Sequence, residues 1–286
     1  MMQRALRQKL EIGAMLSPAV VLLTLFILVP LCVVFAYSFA LRDSYGAVLP
    51  GFTLEHYQNL FQSDYLLVFW NSFKLAASTT VICLLVGYPV AYFIAFKAGR
   101  AAPALLLLLL IPFWINFLIR ISAWVVLLGR GGLINQSLMT TGILDAPIGM
   151  LGTYGATLVG MVYAFLPVTV FPIYAALTPI DRRLLEAGAD LGAGPARTFF
   201  SVTLPLSLPG VLAAALFVFV PSMGVFAIPV LLGGGKEIIL GNLIVQLFLE
   251  FRNIPLGAAV SMLMLGFSVA GILIYMRALA RIEGAR

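Results

Sequence analysis

Few side chains in this sequence are of the types that carry out covalent chemistry, and they do not cluster. The only histidine is His56, and both cysteines, Cys32 and Cys83, fall inside long apolar segments. No His-Glu-x-x-His or Cys-x-x-Cys spacing is present, so the usual motifs for catalytic metals are missing. The 11 acidic residues are spread over loops and tails, which disfavours a carboxylate active site. The sequence therefore predicts no catalytic residue, no cofactor site and no metal site in this chain.

A glycine-rich run is the nearest approach to a nucleotide-binding motif. It reads Gly233-Gly234-Gly235-Lys236-Glu237. A phosphate-binding loop needs Gly, four residues, Gly-Lys and then Ser or Thr, all after a strand. The hydroxyl residue is absent here and the run follows an apolar segment. The chain is therefore not expected to bind ATP itself.

One polar stretch lies between two uncharged apolar segments. No charged residue occurs from Ala146 to Ile180 or from Thr198 to Gly235, so the charged residues between them must meet water at a membrane face. The stretch contains Glu-Ala-Gly at 186–188, three residues, Gly192, nine residues, Val202, one residue, and Leu-Pro at 204–205. Such regular placement of small and polar residues predicts a structured loop with a specific contact surface.

The spacing in this stretch predicts two short helices with a bend. One helical face carries apolar or small residues that recur at spacings of three and four residues, namely Leu184, Leu185, Gly188 and Leu191. Glu186 and Asp190 lie on a neighbouring stripe of the same helix. Gly192 and the Gly194-Pro195 pair interrupt the helix. Glu186 is expected near the start of the first helix, where a carboxylate is favoured by unpaired N–H groups.

The same stretch resembles the EAA loop of permease subunits of ATP-binding-cassette (ABC) importers. That pattern reads Glu-Ala-Ala, three residues, Gly, nine residues, Ile, one residue, Leu-Pro, and the departures here are Gly188 and Val202. The resemblance implies that the loop at 180–204 docks on a separate ATPase subunit and transmits its motion. It assigns the ATPase-coupling role to Glu186, Ala187, Gly188, Asp190, Gly192, Leu204 and Pro205. The alternative is an ordinary amphipathic loop between two spans.

Composition identifies an integral membrane protein. Of the 286 residues, 62% are hydrophobic and only 10% are charged, which exceeds what a soluble domain of this size buries. Because about 20 apolar residues cross a bilayer, six spans are predicted, at 14–37, 68–96, 104–128, 151–177, 205–232 and 256–276. The fold class is therefore all-α, with six transmembrane helices in a single domain over 1–286. The resemblance implies the type I ABC importer permease fold.

Basic residues are distributed unequally between the two sides of the predicted membrane. Eleven Lys and Arg residues fall on the side of the termini and the 180–204 loop, and four (Arg42, Arg130, Lys236 and Arg252) fall on the other side. Basic loops remain in the cytoplasm. Both termini and the EAA-type loop are therefore predicted to be cytoplasmic.

Further blocks resemble the spermidine/putrescine-type permeases of this family. They are 85–95, 111–124 and 220–248. The resemblance implies a multi-pass protein of the bacterial cytoplasmic (inner) membrane and polyamine import. It also implies a second related permease, two ATPase subunits that bind the ATP, and an external (periplasmic) substrate-binding protein. Apart from membrane lipid, no other partner is expected, and nucleic acid is excluded because the basic residues follow membrane sidedness.

The solute remains open at this stage. Polyamine permeases often carry an acid shortly before the loop-five glycines, whereas this chain reads FAIPVLL at 226–232, and none of the acids lies within the predicted spans. Desolvating a polycation without a counter-charge is costly, although aromatic faces offer an alternative. Another small organic solute therefore stays in consideration. The candidate pathway residues are the aromatic or polar groups Trp114, Asn116, Tyr163 and Phe226.

Arg120 lies within a predicted span, where an ionisable residue is by default a functional hypothesis. It is expected either to hold an anionic solute or gate the pathway, or to be structural and paired with helix-end carbonyls. Polyamine-type members share an Arg in this block, and their substrates are cations. The resemblance therefore favours the structural role.

Two other function classes are considered. A membrane-embedded lipid-modifying enzyme would need clustered acids or metal ligands at one face. An ion-coupled secondary transporter usually needs intramembrane ionisable groups and an internal repeat. No cluster of acids or metal ligands, no acid within the predicted spans and no obvious internal repeat are visible, so the chain is predicted to be a transport subunit and not an enzyme.

Overall fold

The computed structural model describes residues 16–43, 48–235 and 238–284, and their regular structure is almost entirely helical. Short 3₁₀ turns at Gly99–Ala101 and Ile111–Trp114 flank the fourth helix, and one small hairpin precedes the second. In chain order the elements are α1 (Leu16–Tyr37), β1 (Leu41–Arg42), β2 (Val48–Leu49), α2 (Glu55–Asn59), α3 (Ser63–Phe96), α4 (Ala102–Leu110), α5 (Phe117–Leu128), α6 (Leu133–Thr140), α7 (Tyr154–Leu177), α8 (Arg182–Asp190), α9 (Pro195–Gly224), α10 (Ala227–Gly233), α11 (Leu240–Glu250) and α12 (Ile254–Gly284).

Six helical segments of the described chain are long and apolar enough to cross a bilayer. They contain 22 to 34 residues each, whereas a hydrocarbon core of about 30 Å needs about 20 helical residues. The prediction of six spans is therefore confirmed. The segments are Leu16–Tyr37, Ser63–Phe96, Phe117–Thr140, Tyr154–Leu177, Pro195–Gly224 and Ile254–Arg281.

The chain divides into two compact units, of which the first comprises residues 1–62 and 244–263. Its non-spanning part is held by side-chain contacts. The Phe39 ring stacks on Phe52 at 5.2 Å between centroids and meets Tyr57 at 5.1 Å. The Tyr57 hydroxyl donates to Ser38 Oγ at 2.8 Å, and Arg42 Nη2 donates to the Phe251 carbonyl at 3.2 Å. These contacts give the segment after α1 a defined fold.

The second unit comprises residues 63–243 and 264–286, and its centre is the packing of α3, α7 and α9. Two groups of buried side chains fill it. The Ile121 cluster consists of Leu75, Ile121, Leu128, Ala156, Met161, Ile228, Leu232 and Ile239. The Ile173 cluster consists of Tyr88, Ala91, Ile94, Phe96, Val170, Ile173, Leu177 and Ala214.

Glycines allow the helices of the second unit to approach closely. A Cβ at Gly210 of α9 would meet the Ala176 side chain and, at 2.6 Å, the Pro172 carbonyl oxygen of α7. A Cβ at Gly160 of α7 would meet Leu232 and, at 3.0 Å, Ile228 Cγ2 of α10. Small residues at such crossings are the usual means of tight helix packing in membranes.

The structure corrects two predicted spans. The predicted span at 104–128 is wrong in its bounds, because the backbone is extended at Ile115 and the membrane-length helical segment begins at Phe117 and ends at Thr140. The prediction of 205–232 is also wrong in its bounds. That helix begins at Pro195, ends at Gly224, and is followed by α10. The break leaves Pro229 in the first turn of α10, where a missing N–H costs nothing.

Candidate functional site

The loop between α7 and α9 forms two helical pieces with a bend, as the spacing predicts. Asp181 caps the first piece, because its carboxylate accepts from Arg183 N at 3.0 Å and so satisfies an unpaired N–H of α8. At the other end, Gly192 has φ +75° and Ala193 N donates to the Gly188 carbonyl at 3.0 Å. A left-handed glycine with this six-to-one hydrogen bond is a Schellman C-cap. Gly192 therefore creates the bend.

Glu186 lies in the middle of α8 and not near its start. The helix begins at Arg182 and has no acid in its first turn, so the prediction that Glu186 interacts with unpaired N–H groups is wrong. Asp181 performs that capping. The Glu186 carboxylate is exposed, as are Ala187 and Asp190. These three positions therefore present a small polar surface to solvent.

The apolar face of α8 is divided between the chain's own core and solvent. Leu185 packs against the Ile173 cluster, whereas Leu184 is 48% exposed and Leu191 is 89% exposed. An almost fully exposed leucine at the end of a short helix is costly in water, unless another surface covers it. One apolar side chain, Leu185, therefore packs α8 against the core, and two others, Leu184 and Leu191, are exposed to solvent.

Gly188 is used inside the chain. A Cβ at this position would lie 3.2 Å from Thr198 Oγ1, so the small residue lets α8 approach the start of α9. Leu204 packs against the Ile173 cluster, and Leu204 and Pro205 both lie inside the α9 helix. The loop predicted at 180–204 thus passes directly into a span, and α8 lies against the start of α9 at Gly188 and Thr198.

A second feature is the interruption between α4 and α5, which contains two of the predicted pathway residues. Asn116 has ψ 135° and its Oδ1 accepts from Leu118 N at 2.9 Å, so it is the N-cap of α5. Trp114 ends the preceding 3₁₀ turn and is 79% exposed. Non-helical backbone inside an apolar segment is stable where protein or a water-filled cavity surrounds it.

The other two predicted pathway residues have different surroundings. Phe226 lies at the break between α9 and α10 and is 48% exposed. The Tyr163 ring packs edge-on against Trp124 at 5.4 Å and lines an open apolar groove with Ile82 and Val159. Tyr163 lines this groove without Trp114, Asn116 or Phe226. Their role in the solute pathway stays a prediction.

Arg120 is not paired as predicted. Its Cζ lies 5.0 Å from the Phe113 ring centroid and 5.9 Å from that of Phe117. Its buried Nε has no hydrogen-bond partner within the described residues, so the expected pairing with helix-end carbonyls is absent from this part of the chain. Aromatic faces take the place of carbonyls beside the guanidinium.

Sequence reasoning missed Asn135, which fixes the segment before α7. This fully buried residue donates from Nδ2 to the Gly129 and Ile148 carbonyls, and its Oδ1 accepts from Ile148 N, all at 3.0 Å. A single asparagine in the short helix α6 gives no periodic signal, so the sequence alone could not identify it. In the described ranges, no group of three potential metal ligands is found.

Comparison with known proteins places this geometry in a family. Residues 87–284 match the model of the binding-protein-dependent transport system inner membrane component. The chain is 43% identical to the spermidine/putrescine transport system permease protein PotB of Haemophilus influenzae, over 90% of each chain. It is 39% identical to PotB of Escherichia coli K12, over 90% of this chain and 93% of that protein.

A solved structure shares the fold. In the bacterial alginate ABC transporter complexed with an alginate pentasaccharide-bound periplasmic protein, one chain superposes with a TM-score of 0.80 at 18% identity, covering 98% of this chain and 97% of that one. The fold is thus that of type I ABC importer permeases, and the chain is a multi-pass transport subunit and not an enzyme. It belongs to the family of inner membrane components of binding-protein-dependent transport systems.

Proposed function

We propose that this chain is the permease subunit of an ATP-driven importer of polyamines such as spermidine and putrescine. The observation that carries the proposal is its 43% identity, over 90% of both chains, to a permease named for those solutes. Two relatives of this name match across nearly the same 256 residues. A likeness that extends through loops and spans supports the same solute class more strongly than one confined to the coupling loop.

The proposed complex contains a second permease, two ATPase subunits and an external binding protein. The name of the matched family and the periplasmic protein in the alginate transporter complex support the last of these. The exposed Leu184 and Leu191 of α8 support an ATPase contact, since this helix lies in a polar loop where no lipid covers it. ATP is then bound by the partner subunits.

Transport proceeds by alternating access in this proposal. A loaded binding protein docks outside, and ATP closes the two ATPase subunits. The motion reaches the spans through the bend at Gly192 and the contact of Gly188 with Thr198. Because α8 and α9 are joined by only a few residues, a rigid displacement of α8 must move the start of α9. Interfaces with two discrete packings convert such small shifts into larger ones.

The proposed sidedness puts α8 and both termini in the cytoplasm. Within the second unit, the ends of α3 and α7 and the start of α9 share the Ile173 cluster. Lys97, Arg100, Arg182, Arg183 and Arg197 therefore follow or precede helix ends on one side of that unit. Their concentration supports the cytoplasmic assignment by the positive-inside rule.

A second candidate is import of a neutral small organic solute. One observation favours it. Within the described spans the only acid is Asp64, in the first turn of α3, so this chain offers no carboxylate at depth to a cation. Aromatic faces or the second permease must compensate if the solute is a polyamine.

Thermal unfolding of the cognate binding protein tests the solute class. We expect spermidine or putrescine to raise its melting temperature at micromolar concentration, because ligand binding to the native state stabilises it by mass action. Neutral sugars and molybdate at equal concentration serve as controls. A rise with a neutral solute, and none with any polyamine, would replace the polyamine proposal by the second candidate.

A further inference from the structure

Arg120 is placed where it does not stabilise its own helix. It is the fourth residue of α5, which begins at Phe117. The N-terminal turn of a helix carries the positive end of the helix dipole, so a cation there is unfavourable. Nor does the guanidinium form, with any residue that the structure describes, the ion pair that usually accompanies a membrane-embedded charge. Inside the described spans no acid other than Asp64 is available to it.

Two aromatic faces stabilise the Arg120 charge. Its Cζ lies 5.0 Å from the Phe113 centroid and 5.9 Å from the Phe117 centroid, both within the range of a cation–π contact. Nε is buried and unpartnered within the described chain. A guanidinium held only by ring faces is displaced by another cation more readily than one held by a carboxylate, because breaking a cation–π contact costs less than breaking a buried ion pair.

One of these faces, that of Phe113, is accessible from outside this chain, as is the neighbouring ring of Trp114, whereas Phe117 packs against the Ile121 cluster. Phe113 is 40% exposed and Trp114 is 79% exposed, at the break before α5. The 3₁₀ turn that ends at Trp114 leaves its last carbonyls without helical partners, and the end of a helix favours a nearby cation. A site with aromatic faces and free carbonyls suits an organic ammonium group. Arg120 already occupies that position.

We propose that Arg120 is an internal substitute for the solute's ammonium group. In the resting chain its guanidinium lies beside the Phe113 and Phe117 faces. An incoming organic cation takes the exposed Phe113 face, and the guanidinium of the partly exposed Arg120 turns to solvent. This inference rests on the proposed function only in requiring a cationic solute.

Equilibrium binding of radiolabelled spermidine to the assembled complex, without binding protein, tests the exchange. Arg120→Met removes the competing guanidinium and nearly keeps the side-chain volume. Spermidine should therefore bind about 5- to 30-fold more tightly, which is the range expected for one desolvated cation–π contact. Arg120→Lys, with a cation of similar charge on a shorter, non-planar group, should give an intermediate affinity. Lys74→Met is the matched control, because Lys74 Nζ also lies over a ring, 4.8 Å from the Tyr154 centroid, and should leave the affinity unchanged.

The double variant Phe113→Leu with Arg120→Met separates exchange from simple charge repulsion. Exchange requires the Phe113 ring, so the double variant should lose the tighter spermidine binding of Arg120→Met. If Arg120 acted only by charge repulsion, the double variant would keep that tighter binding, and the proposal would be overturned. Unchanged or weaker spermidine binding in Arg120→Met, with the ATPase still co-purifying, would also overturn it. The wild-type complex with binding protein is assayed in parallel for spermidine uptake. Failure of that uptake refutes the polyamine proposal, whereas normal uptake with no effect of Arg120→Met refutes only the exchange.

Discussion

Gly192 is the position where one added side chain should disconnect the ATPase without unfolding the spans. Its φ of +75° is unfavourable for other residues, and a Cβ built there has no atom within 4 Å. Gly192→Asp therefore costs this chain only about 1 kcal/mol of backbone strain. The larger effect falls on the partner, because a new carboxylate desolvated against the ATPase without a counter-ion costs about 3 kcal/mol, roughly a hundredfold in affinity.

Gly142→Asp provides the matched control for this prediction. Gly142 has φ +70° and open space around its Cβ, and it lies before α7 whereas Gly192 lies after it. The two variants thus share the strain and the added charge. We expect normal membrane insertion of both, and loss of ATPase co-purification and of uptake only in Gly192→Asp. Full ATPase recovery with wild-type uptake in Gly192→Asp would mean that 180–204 is merely a connecting loop.

Three further predictions concern topology, the helix break and helix packing. In a Cys32→Ser background, Gln58→Cys should react with an impermeant maleimide on intact spheroplasts, whereas Ala196→Cys should react only after permeabilisation. Reaction of both cysteines from the same face would refute the six-span arrangement. Asn116→Ala should lower stability by about 1 kcal/mol through loss of the α5 cap, and Asn116→Ser should restore it; equal melting temperatures for all three proteins would contradict the capping role. Gly160→Leu should destabilise the detergent-solubilised complex by about 1 to 3 kcal/mol, because the new side chain collides with α10. Gly266→Leu is the control and should not destabilise it, since a Cβ at Gly266 has no atom within 4 Å. Similar melting temperatures of the two variants would exclude close packing of α7 on α10.

The number of spans and the bend in the coupling loop could be predicted from the sequence because each depends on local chemistry. Hydropathy over about 20 residues reports burial in lipid, and Gly192 supplies a dihedral that few other residues adopt. In these cases the deciding residues lie within one or two turns of the feature.

The helix breaks and the environment of Arg120 could not be predicted in the same way. Apart from Asn116, apolar residues flank both breaks closely, so hydropathy does not mark Ile115 or Val225 as helix ends. Prolines occur in unbroken helices as well, for example Pro89 in α3, and a proline therefore does not mark a break by itself. Glu186 was misplaced because the alternative cap, Asp181, is five residues earlier and the spacing alone did not fix where α8 begins. The partners of Arg120 depend on a turn that the sequence did not reveal.

We expect this chain to import its solute only when a separate ATPase acts on it through α8. ATP-dependent uptake of radiolabelled spermidine into proteoliposomes tests it most directly, with the two permeases, the ATPase and the binding protein added or omitted one at a time. We expect uptake only when all components and ATP are present, and none from this chain alone under a proton or sodium gradient. Gradient-driven uptake by this chain without ATPase or ATP would contradict the claim and identify a secondary transporter.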